Sequence, residues 1–198
     1  MARKSEPLRQ RVPERTCTKT YKSYRSFKKD LRKDFNRRCG YCDDHDDGFW
    51  RGFQIDHFIP QTQLQNIQDN DYGNLVYSCF FCNNSKGQDW PSNDELVAVT
   101  PARHGYIDPC SNQYDAQYHR DKDGKIIADS EVGEYMHCKL KLWLERHRIK
   151  WWLNKLEEQI DILKKNKKNL NANLGKRLNR LLEKHYAYQE YLKNENEQ

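Results

Sequence analysis

Between Tyr21 and Arg38 the apolar residues Tyr24, Phe27, Leu31 and Phe35 recur at three- and four-residue spacing, and most positions between them are Lys or Arg. That period predicts a helix with one buried stripe and a basic opposite face. The period then changes. In the stretch from Phe49 to Ile59, Phe53 and Ile55 alternate with Gln54 and Asp56, which predicts a strand that Pro60 ends. Residues 61–73 are rich in Gln, Asn and Asp and predict a loop. Asn74 to Ser78 predicts a second strand, and Cys79 to Gly87 a short helix with Gly87 as its stop. A further helical turn is expected at Asp94 to Ala98. Residues 101–133 are irregular, with a hairpin turn predicted at Asp123-Gly124. From Glu134 to Lys165 a helical stripe returns, marked by Leu140, Leu144, Trp151, Leu156, Ile160 and Leu163. Residues 166–175 are poor in helix formers, and a second helix is predicted from Lys176 to Lys193. The two C-terminal helices predict either a hairpin or one long bent helix.

Composition narrows the picture. The chain has 198 residues, 36% of them hydrophobic and 32% charged, with a mean hydropathy of -1.17. So polar a chain predicts that the C-terminal helices and a short central segment carry most of the apolar burial, without a large single core. The net charge of +6 is unevenly spread. Residues 1–38 are strongly basic, 39–120 acidic, and 121–198 mildly basic. Basic flanks around an acidic centre suit a polyanion gripped from the sides and a cation held in the middle. Residues 1–16, with Pro7 and Pro13, are expected to be flexible.

The seven cysteines are an odd number. Four form two pairs, Cys39-x-x-Cys42 and Cys79-x-x-Cys82, while Cys17, Cys110 and Cys138 stand alone. The chain starts without an apolar leader, and no run approaches the ~20 apolar residues of a membrane span. A reduced, cytoplasmic protein is the simpler expectation, and there paired cysteines favour metal over disulfides. Four thiolates at about 2.3 Å close a tetrahedral structural Zn²⁺ site. Such a site supplies folding energy to a small, polar segment.

The segment between the pairs carries more chemistry. Asp56-His57 stands at the expected strand end, Asn74 opens the second strand, and Asn83 lies three residues before Lys86 in the expected helix. With the two cysteine pairs, this set resembles the HNH endonucleases of the ββα-metal type that carry two zinc knuckles. The resemblance spans about Cys39 to Pro91. It implies an α+β fold: a small zinc-stabilised ββα-metal core, with an N-terminal basic helix and a long C-terminal helical extension. The expected divisions are a basic arm and helix at 1–38, the nuclease core with an irregular extension at 39–133, and the helical extension at 134–198.

The resemblance implies a metal-dependent endonuclease acting on DNA, with RNA as an open alternative. Imidazole is suited to taking a proton near neutral pH, so His57 is the expected general base. Asp56 is a hard oxygen ligand for Mg²⁺ or Mn²⁺, and Asn83, preferred to Asn84, adds an amide oxygen. Asn74 is expected to fix the loop that carries the histidine, by holding the His57 backbone. Lys86 is expected to contact a phosphate. Adjacent strand residues face opposite ways, so Asp56 and His57 share a site only if the strand ends or twists there. Small proteins of this kind with helical extensions resemble effector subunits of bacterial anti-phage systems, often paired with an ATPase. The C-terminal helices are thus candidates for a protein partner or self-association. The competing reading is a zinc-knuckle module that binds nucleic acid or a partner without catalysis. It accounts for the cysteines and the basic arms, but not for Asp56-His57 placed with Asn74 and Asn83.

Overall fold

The computed structural model describes residues 6–46, 52–165 and 172–197. The first residues of the expected strand from Phe49, and most of the expected break at 166–175, lie outside these. The fold is α+β. The chain divides after Leu144 into two compact units.

In the first unit, a 3₁₀ turn at Tyr24–Phe27 runs into α1 (Lys28–Asp34). Phe27, Leu31 and Phe35 are buried, as the stripe requires. Each such side chain withdrawn from water contributes about 1.5–3 kcal/mol. The helix stops where Asn36 and Arg37 take φ of 53° and 61°. That left-handed turn swings the chain into Cys39 to Cys42. Gly40 is required there for space rather than for a special φ. A Cβ would meet the Phe35 ring at 2.8 Å and the Val76 side chain at 2.9 Å.

An antiparallel ribbon forms the centre. β2 (Phe53–His57) pairs with β3 (Leu75–Cys79), with Asp56 opposite Val76 and His57 opposite Leu75. Every residue of β3 is buried. The chain then enters α2 (Phe80–Lys86), which Gly87 ends at φ 52°. Strand, loop, strand and helix follow in the order expected from the sequence. The expected helical turn at Asp94 to Ala98 is a hydrogen-bonded turn only, closed by Val97 N–H on the Asp94 carbonyl at 3.2 Å.

The N-terminal arm corrects the expectation of flexibility for 1–16, as far as residues 6–16 are described. β1 (Glu6–Pro7) pairs with β4 (Tyr118–Arg120), and β4 pairs with β5 (Ile126–Ala128) through the turn at Gly124. Leu8 is buried, and Arg9 is buried with its guanidinium on Asp115 at 2.6 Å. Arg15 holds Asp108 at 2.7 Å, Arg32 holds Asp46 at 2.5 Å and Arg38 holds Asp43 at 3.3 Å. Much of the contrast between basic flank and acidic centre is therefore satisfied within the chain.

The expectation of no large core is also corrected. One buried cluster runs from Leu8 to Leu142 and includes the four paired cysteines. Tyr41, Tyr77, Tyr106, Tyr114 and Tyr118 supply much of it. Tyrosine scores as polar yet buries a large ring, so mean hydropathy understated the available apolar area.

The helical stretch expected from Glu134 is two helices. α3 (Glu131–Lys139) is capped by Ser130, whose Oγ accepts from Gly133 N–H at 2.9 Å. The chain then breaks at Lys141, with φ 52°, while Leu140 and Leu142 are buried on either side.

The second unit holds α4 (Glu145–Lys165) and α5 (Ala172–Glu197). Ile149 and Leu153 of α4 pack with Leu192 and Tyr188 of α5. His185 Nε2 lies 3.1 Å from Glu157. Early residues of one helix meet late residues of the other, so the pair is an antiparallel hairpin. α5 begins four residues before the expected start at Lys176. No described helix is long and apolar enough to cross a membrane.

Candidate metal centre and active-site cleft

Cys39 and Cys42 flank the turn after α1, Cys79 ends β3, and Cys82 lies in the first turn of α2. All four are buried, and their sulfurs lie within 4.8 Å of one another. The Cys42 and Cys79 sulfurs are 3.7 Å apart. A tetrahedron of ~2.3 Å zinc–sulfur bonds has edges of about 3.8 Å, so the spacing fits zinc. Burial pushes the thiols of Cys42, Cys79 and Cys82 up. Burial opposes ionisation of Cys39 too, but hydrogen bonds from the other three hold it well below its ordinary value. Four buried sulfurs gathered at this spacing are a donor set that a soft cation completes.

The knuckle is supported from outside its own segment. The Gly40 carbonyl accepts from Arg9 at 3.2 Å, the Tyr41 carbonyl from the Tyr114 hydroxyl at 2.7 Å, and the Cys42 carbonyl from Arg120 at 3.0 Å. All three bonds are buried, where an unmade one costs about 1–3 kcal/mol. No sequence pattern pointed to these residues.

A cleft of about 260 Å³ opens between β2 and α2. Tyr24, Asp56, His57, Asn83 and Asn84 are among the residues that line it. His57 is the last residue of β2, so it and Asp56 reach one cleft despite the alternation of the strand. The His57 Nε2 lies 2.7 Å from the Asp69 carbonyl. A carbonyl only accepts, so Nε2 carries the hydrogen and Nδ1 keeps the lone pair. The Tyr24 ring packs edge-on against the imidazole at 4.7 Å.

Asn74 holds the loop after β2. Its Oδ1 accepts from Ile59 N–H at 2.8 Å, its Nδ2 donates to the Ile59 carbonyl at 3.0 Å, and its own carbonyl accepts from Phe58 N–H at 2.8 Å. The grip falls one and two residues after His57 rather than on His57 itself. The loop carrying Asp69 is tied down separately. The Glu95 carboxylate accepts from the N–H groups of Gln65, Asn66 and Ile67. These bonds, led by that of Ile67, hold the carboxyl down to about 2.

Asp56 is buried, and both its oxygens are engaged. Oδ2 accepts from the Tyr41 hydroxyl at 2.5 Å, and Lys86 Nζ lies 3.3 Å from Oδ1 and 3.2 Å from Oδ2. Burial raises its carboxyl above the ordinary range, against the opposing pull of Lys86 and Tyr41. Lys86 also donates to the His57 carbonyl at 2.8 Å, and its side chain is 0% exposed. This corrects the expectation that Lys86 contacts a phosphate. The ammonium finds a buried carboxylate and a carbonyl on β2, and it turns inward. Lys86→Met is expected to destabilise the fold by about 3–5 kcal/mol, because Asp56 stays buried and loses its cation. Urea titration measures this; an unchanged midpoint would show that the pair does not support the fold.

Asn83 donates its Nδ2 to Gln54 Oε1 at 2.5 Å, which leaves its Oδ1 as the acceptor. An amide oxygen and a carboxylate at one open cleft are a hard donor set that fits Mg²⁺ or Mn²⁺. Such an ion would share the Asp56 carboxylate with Lys86. Tyr24, Tyr41, Gln54 and the Asp69 carbonyl escaped sequence reasoning. Tyr24 read as part of a buried stripe, Tyr41 carried no signal of its own, and a backbone carbonyl leaves no mark in a sequence.

The two cysteine pairs, the histidine and the asparagines are now in place on one ribbon and helix. Residues 39–89 match the family model for HNH endonuclease. The HNH match thus contains all four sulfurs and the residues of the cleft except Tyr24. No curated protein matches the chain, and no solved structure does.

Proposed function

We propose that the chain is a metal-dependent endonuclease that hydrolyses DNA phosphodiester bonds at the β2–α2 cleft. The observation that carries the reading is the convergence there of an imidazole of fixed tautomer with a carboxylate and an amide oxygen. His57 Nδ1 takes the proton from the attacking water. The Asp69 carbonyl holds the opposite edge of the ring and steadies the imidazolium that forms. Asn74 keeps the backbone after His57 in register. Asp56 and Asn83 would hold Mg²⁺ or Mn²⁺, which when bound stabilises the charge that develops on the phosphate. Lys86 balances the Asp56 charge from within the fold. The four cysteines hold a structural zinc.

The second reading, a nucleic-acid-binding module without catalysis, draws on one observation: both Asp56 oxygens already have partners. Supercoiled plasmid separates the two. With Mg²⁺ or Mn²⁺ the purified protein is expected to convert it to nicked or linear DNA, and to do so only when the ion is added. Binding without conversion under either ion would replace the nuclease by the binding module.

A further inference from the structure

A cation close to the cleft has no part in the catalytic reading. Tyr24 lines the cleft and packs on His57. The Arg25 guanidinium lies over the Tyr24 ring, 5.1 Å from its centroid. Together the two contacts bound the guanidinium to within about 10 Å of the imidazole. Arg25 is exposed. Arg9, Arg15, Arg32 and Arg38, from the same basic stretch, each hold a carboxylate of the acidic centre. Arg25 rests on a ring instead, and a cation on a ring keeps its charge and its donors for a further anion. Lys22 and Lys28, on either side in sequence, are exposed as well.

We propose that Arg25, seated on Tyr24, binds a backbone phosphate of the DNA strand close to the bond that is cut. The proposal rests on the reading of the cleft as a DNA-cleaving site. Phosphates recur along each DNA strand at every nucleotide, so a phosphate held by a guanidinium this near the imidazole lies within a few nucleotides of the reacting one. Arg25 donates to the phosphate oxygens through its planar fork, and the contact carries no base preference. The ring limits the freedom of the side chain before DNA arrives, which reduces the entropy lost on binding. Tyr24 then touches both the base and the substrate-binding cation, and so couples DNA seating to the position of His57.

Salt dependence tests this directly. Binding of a short fluorescein-labelled DNA duplex is followed by anisotropy across a salt series, without added divalent ion so that the probe stays intact. Arg25→Ala is expected to weaken binding about five- to tenfold, the scale of one exposed charge-assisted contact. It is also expected to reduce the slope of log affinity against log salt by about 0.9, one phosphate contact. Arg25→Lys should keep most of the slope. Lys122→Ala removes the same charge from the β4–β5 turn and should leave the slope as it is. In the cleavage assay Arg25→Ala should raise KM and spare kcat. An Arg25→Ala slope equal to that of the parent, or an equal loss from Lys122→Ala, overturns the proposal and leaves the reading of the cleft intact. No binding or cleavage of DNA by the parent overturns both.

Discussion

His57→Ala is expected to reduce DNA cleavage by about 10²- to 10⁴-fold, the usual contribution of a positioned general base. Zinc content should be unchanged, because none of the four sulfurs contacts the histidine. The geometry gives the prediction a second readout. The Asp69 carbonyl at 2.7 Å fixes the hydrogen on Nε2, so the variant lacks one specific lone pair, that of Nδ1. Added imidazole should therefore restore part of the activity of His57→Ala, which it would not do for a variant damaged only in folding. If His57→Ala cuts at the parent rate, His57 is not the base.

Cys82→Ala is expected to unfold the first unit rather than to lower activity in a folded protein. Structural zinc in small domains contributes about 10–16 kcal/mol of apparent binding free energy. The whole stability of a domain is about 5–15 kcal/mol. Loss of one ligand from a site that joins the turn after α1, the end of β3 and the start of α2 thus removes a term as large as the total. Metal analysis should find zinc in the parent and little in the variant, and circular dichroism should show the near-ultraviolet signal of the buried tyrosines lost. A fully folded, metal-free Cys82→Ala would show that the aromatic core holds this unit without metal.

The elements that follow a simple period were legible in the sequence. The Phe27–Leu31–Phe35 stripe, the strand β2 and the Asp123-Gly124 turn all appear where the spacing put them, but burial does not alternate along β2, where Asp56 is buried and Ile55 half-buried. So did the sites whose chemistry depends on adjacent residues, such as the cysteine pairs. What was not legible depends on partners far along the chain. Nothing at Arg9 or Arg120 distinguishes a guanidinium that turns inward onto knuckle carbonyls from one that faces solvent. The same holds for Lys86, whose ammonium is directed by a carboxylate on another element. The break at Lys141 has no Gly or Pro to announce it, because burial of Leu140 and Leu142 outweighs helix propensity there. The mean hydropathy misled for a different reason: it counts a tyrosine as polar wherever its ring ends up.

The support of the zinc knuckle sets a limit on modularity. The HNH family match ends at residue 89, but the donors to the Gly40, Tyr41 and Cys42 carbonyls sit at Arg9, Tyr114 and Arg120. A fragment cut at the edges of the family match would carry every sulfur and the cleft's His57, Asp56 and Asn83, yet leave three buried carbonyls without donors. The smallest transplantable piece therefore begins before Arg9 and extends past Arg120. During synthesis the knuckle likewise has all its cysteines, and Arg9, before Tyr114 and Arg120, so its final packing awaits the emergence of Arg120 from the ribosome.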